Sequence, residues 1–187
     1  KGLDLDGSKH DLGVWLGPIE ETQGQIEQAI QAYQAAFTSL PSLELYSTLK
    51  KLSGANWGQL RPALIQTLQD SHHTDALADV YLFEEEWDQA IGVAGKDGEW
   101  NYPLIEKVAD VVLSFRPYWV IQASRKQAEG LIAKTQSKYY AAAVRWLSKM
   151  KQAYLSSGRK AEWLAYLDGL KSTYPRRPAL QAELRKL

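Results

Sequence analysis

Apolar residues recur at helical spacing along nearly the whole chain, and Gly or Pro interrupts the pattern at short intervals. The breaks fall at Gly24, Pro41, Ser53-Gly54, Gly95 to Gly98, Pro117, Gly158, Pro175 and Pro178. No run of β-branched residues alternates with polar ones, so the periodicity predicts helices and no sheet. The clearest stripe is Tyr139, Ala143, Trp146, Met150 and Ala153, with Lys138, Arg145, Lys149 and Gln152 on the opposite face. Similar stripes run through Val14-Trp15-Leu16, through Ile26, Ala29, Ile30, Tyr33 and Phe37, and through Val108, Val111, Val112 and Phe115. Helices this short are marginal alone in water, and each must bury its stripe against the next. The expectation is an all-α chain of about ten or eleven helices, stacked as antiparallel hairpins in an irregular solenoid.

Two segments align without adjustment. Gly24 is followed by Ala29, Tyr33, Ala36 and Pro41, and Gly158 by Trp163, Leu167, Leu170 and Pro175. The Gly permits a tight turn, the next positions form the inner face of the second helix, and the Pro ends it. A degraded third copy runs from Leu77, Ala78 and Tyr81 to Trp87, Ala90 and Ala94. The spacing resembles the tetratricopeptide repeat. Pro18 and Glu20 depart from that pattern on the first helix, and Trp163 stands where the repeat has a small residue, so irregular packing angles are expected.

Composition narrows the function classes. With no Cys among 187 residues, a disulfide framework, a Cys nucleophile and a Cys-ligated metal are excluded. No long apolar run or charged-then-apolar leader occurs, so neither a membrane span nor a signal peptide is expected, and a cytoplasmic setting fits. The net charge of zero conceals a division. Residues 1–115 hold 7 Lys/Arg against 18 Asp/Glu, and residues 116–187 hold 15 against 4. These acidic and basic parts either solvate opposite ends of one fold, pair between molecules or with another part of a longer chain, or offer the basic part to an anionic partner.

Longer strings carry a family resemblance. Asp11-Leu12-Gly13-Val14-Trp15-Leu16, Pro41-Ser42-Leu43-Glu44-Leu45-Tyr46, Trp57 with Leu60-Arg61-Pro62, and Trp87-Asp88-Gln89-Ala90-Ile91 occur in order. They are followed by Lys126-Gln127-Ala128-Glu129, Tyr140 to Leu147, Glu162 to Leu167 and Arg176-Arg177-Pro178-Ala179-Leu180. Together these resemble the C-terminal helical region of bacterial SWIM zinc-finger family proteins. The resemblance implies that residues 1–187 are a single helical repeat domain at the end of a longer protein. It also implies that zinc belongs to an upstream module and that this fragment holds no cofactor. The implied role is a non-enzymatic platform for protein association, its partner another protein or the upstream part of the same chain.

Asp4-Leu5-Asp6-Gly7-Ser8 has the look of a phosphatase nucleophile motif but lacks the strand before it, and reads as a polar turn with Ser8 or Asp11 capping the first helix. Adjacent His72 and His73 point to different sides of a helix, which does not suit a metal. Glu84-Glu85-Glu86 reads as a solvated turn, and Trp15, Trp146 and Trp163 as core. No catalytic or metal-binding residue is assigned. Lys138, Arg145, Lys149, Arg159, Lys160, Arg176 and Arg177 are the candidate surface for nucleic acid or another anionic partner. Trp100, Tyr102, Tyr118 and Trp119 are candidate aromatics of a binding groove.

Overall fold

The computed structural model describes residues 6–96 and 101–187, with side chains from residue 9 onward. The described residues form α-helices and two short 3-10 turns, with no strand among them. The all-α expectation is met. Packing groups the chain into two compact units, Lys1–Gly98 and Glu99–Leu187. The first carries 6 basic against 15 acidic residues, a net of −9, and the second 16 against 7, a net of +9. The charge boundary read from sequence falls one helix later than the unit boundary, because the intervening helix adds Glu106 and Asp110 to the basic unit.

The first unit contains α1 (Asp6–Thr22), α2 (Ile26–Ser39), α3 (Leu43–Ser53), α4 (Trp57–Asp70), α5 (Thr74–Phe83) and α6 (Trp87–Lys96). In α1 and α2, Gly13 faces Ala36 while Gly17 faces Tyr33, so one helix descends as the other climbs. A Cβ at Gly13 would collide with the Ala32 carbonyl oxygen, and one at Gly17 with the Tyr33 ring. These two glycines let the backbones approach closely. The Tyr33 hydroxyl then donates to Glu21 at 2.6 Å. α1 already begins at Asp6, so Ser8 and Asp11 lie inside it and do not cap it.

Four turns among the described residues share one geometry. Gly24, His72, Glu85 and Gly158 each have positive φ, between 55° and 75°. At each, the next residue's N–H bonds back to a carbonyl five positions earlier, namely Glu20, Leu68, Tyr81 and Tyr154. This is the Schellman closure, which satisfies helix-end carbonyls and favours Gly. The third hairpin was degraded in sequence because its left-handed position holds Glu85 instead of Gly.

Under the α5–α6 turn lies a knot of aromatic and charged groups. Tyr46 is fully buried, with Trp57 edge-on at 5.1 Å and Phe83 edge-on at 6.3 Å between ring centroids. Beside it, Glu84 accepts from Lys50 of α3 at 2.7 Å and from Arg61 of α4 at 3.3 Å, while Arg61 reaches Glu86 at 2.6 Å. Glu84 is only 11% exposed. The acidic triplet expected as a solvated turn is exposed at Glu85, partly so at Glu86 and largely covered at Glu84, because the basic residues of α3 and α4 come to meet it.

The second unit contains α7 (Tyr102–Val112), α8 (Pro117–Ala133), α9 (Tyr140–Ser156), α10 (Lys160–Thr173) and α11 (Pro178–Leu184). Asn101 caps α7 through its side chain, and Pro117 and Pro178 open α8 and α11, where a missing N–H costs no hydrogen bond. Ala128 and Ile132 of α8, Ala143, Leu147 and Met150 of α9, and Leu180 and Leu184 of α11 are fully buried. Trp146 and Trp163 are core, as expected. Gln181 ties α11 back to the carbonyls of Lys171 and Tyr174, both at 2.9 Å.

Candidate interaction surfaces

The candidate basic residues do not form one solvated stripe. Lys138 precedes α9, in the 3-10 turn Ser137–Tyr139, with its ammonium 5.0 Å from the Tyr139 ring centroid. Arg145 projects from α9 into solvent. Lys149, expected on the same polar face, turns toward α7 and pairs with Asp110 and, at 3.6 Å, with Glu106. Its side chain keeps only 16% exposure, so its charge is largely spent within the unit.

Arg159 is held still more firmly. Its Nε and Nη2 donate to the two carboxylate oxygens of Glu162 at 2.7 and 2.6 Å, a planar two-point pair. The guanidinium also lies 5.1 Å from the Tyr154 ring and 5.9 Å from that of Tyr118. The hydrogen bond to Glu162 raises the Arg159 pKa and lowers that of Glu162. Arg177 donates to the Ile132 carbonyl at 2.9 Å and stacks on Tyr174 at 4.4 Å, closing the end of α8. Arg145, Lys160 and Arg176 are exposed and have no acidic partner among the described residues.

Of the candidate groove aromatics, Trp100 lies outside the described residues. Tyr102 and Trp119 are half-buried, and Tyr118 is exposed beside Arg159. Three rings therefore do not open together onto solvent. A neighbouring ladder was not anticipated. Arg125 pairs with Glu129 at 2.8 Å and lies over Tyr166 at 5.2 Å, and the Tyr166 hydroxyl donates to the same Glu129.

The largest correction concerns Trp15. Expected in the core, it is 65% exposed, and Val14 beside it is 42% exposed. The sequence held the signal: Gly13 and Gly17 mark the face that meets α2, and Trp15, two residues from each, lies about 200° around the helix. Asp11, Val14, Trp15, Pro18 and Thr22 together make the outward face of α1. Ile26, Val111 and Phe115, placed in core stripes by spacing, are also exposed.

Among the described residues no group of three His, Cys, Asp or Glu could hold a metal ion, and no helix is long and apolar enough to cross a membrane. Comparison with protein-family models, with curated proteins and with solved structures gives no match.

Proposed function

We propose that this chain is a non-enzymatic helical interaction module whose partner is another protein, in keeping with its resemblance to the helical region that accompanies a SWIM zinc module. The observation that carries this reading is the outward face of α1, where Trp15 and Val14 stand in solvent while Gly13 and Gly17 lock the opposite face. Burying an exposed Trp against a partner is among the largest single gains an interface can make. A benzophenone side chain placed at position 15 should give, on irradiation in cells, one discrete cross-linked protein. The same group at exposed Gln122 of α8 serves as the control. No adduct at 15, or the same adducts at both positions, would overturn the reading.

A second reading rests on the net +9 of the second unit and on Arg145, Lys160 and Arg176, which are left without acidic partners there. These cations would track a nucleic-acid backbone without reading its sequence. Anisotropy of labelled duplex and single-stranded DNA at roughly 50 and 200 mM salt tests it, since phosphate tracking collapses at the higher salt. Absence of binding at the lower salt removes it.

A further inference from the structure

Between the end of α4, the start of α5 and one side of α6 lies a cleft of about 440 Å³, within the range of small-molecule sites. The apolar part of its floor is the small exposed surface of Leu77 and Val93, above fully buried Leu68. Tyr81 also lines it and is 7% exposed, yet its hydroxyl has no hydrogen-bond partner among the described residues. The hydroxyl is not a buried orphan: it opens onto the cleft, free to donate to an occupant. The rim adds Gln69, His72, Thr74, Gln89 and Lys96.

The charge of the lining runs against that of the unit around it. The first unit is net −9, but among the described residues the cleft is lined by no Asp or Glu, and the one full charge in that lining is Lys96, which has no acidic partner among them. An apolar floor, an unused hydroxyl and an unpaired ammonium select for a particular kind of molecule. We propose that this cleft binds a small amphipathic anion, a carboxylate on a short apolar body. The carboxylate meets Lys96 and accepts from the Tyr81 hydroxyl, and the apolar body lies on Leu77 and Val93.

The test titrates the whole chain, ¹⁵N-labelled, with octanoate and separately with 1-octanol, which has the same tail and no charge. Octanoate is expected to shift the amides of Thr74, Gln89 and Gly92 saturably. Lys96→Glu should weaken octanoate about tenfold and leave 1-octanol unchanged. Gly92 provides an independent block, since it lines the cleft and a Cβ there meets nothing within 4 Å, so Gly92→Trp is expected to fill the cleft with its indole. That variant should lose octanoate binding with its other amides unshifted. Absence of saturable shifts, shifts centred elsewhere, octanoate binding indifferent to Lys96→Glu, or unaltered binding in Gly92→Trp would each overturn the proposal.

Discussion

Replacing Glu85 with Gly should stabilise the first unit. Glu85 sits at φ 59° in the α5–α6 turn, is exposed, and has no side-chain partner among the described residues. A residue with a Cβ held in the left-handed region costs roughly 1–2 kcal/mol relative to the right-handed one. Glycine removes that cost and adds an unfolded-state entropy penalty of roughly 0.5–1 kcal/mol. The net expected gain for Glu85→Gly is about 0.5–1 kcal/mol. Urea unfolding should show a midpoint higher by roughly 0.2–0.5 M at unchanged slope. Glu85→Ala separates the causes, since it deletes the carboxylate but keeps the Cβ, and should give no comparable gain. Gly158→Ala, at φ 73°, should lose about 1 kcal/mol by the same reasoning run backwards. Equal gains in Glu85→Gly and Glu85→Ala would refute the backbone explanation and point to relief of charge instead.

Gly17→Ala drives a methyl into the Tyr33 ring and should cost about 1–3 kcal/mol in urea unfolding, whereas Gly130→Ala in α8, where a Cβ meets nothing within 4 Å, should stabilise by roughly 0.5–1 kcal/mol. Glu84→Ala leaves Lys50 and Arg61 without their shared carboxylate beside buried Tyr46, and should cost about 2 kcal/mol by the same measurement. Tyr33, Tyr46 and Tyr166 all have pKa values raised, chiefly by burial. The unfolded chain ionises them near pH 10, so the stability they supply is complete below that pH and falls as pH rises toward their folded values. Absorbance at 295 nm should show these three rings ionising together with alkaline unfolding; their titration in the folded protein near pH 10 would contradict the burial.

The hairpins were legible where one residue type has one use. Gly24 and Gly158 are the only kind of residue that enters a left-handed turn without strain, and the structure puts both there. His72 and Glu85 occupy the same turn geometry invisibly, because their side chains give no hint of positive φ. Hydrophobicity alone places Trp15 in the core, but helix–helix approach is set by what Gly13 and Gly17 lack, and that turns Trp15 outward. Pairing within the basic surface was hidden for another reason. Periodicity put Lys149 on a polar face correctly, but no local pattern in α9 reports that Glu106 and Asp110 of α7 stand opposite it. The bidentate hold of Glu162 on Arg159, by contrast, is a local pattern legible at a spacing of three.

Most close packing in each unit joins helices adjacent in the chain: α1 with α2 and α5 with α6 in the first, α8 with α9 in the second. Such short loop closures lose little chain entropy before contacts form, which places folding in the fast, helical-protein regime of roughly microseconds to milliseconds. The α11 helix is different, since it passes over α10 to dock on α9. On a chain made from its N-terminus, each of the other hairpins can close as its second helix is completed. Leu180 and Leu184 must instead find a surface laid down a full helix earlier, and the second unit waits on them for its last layer.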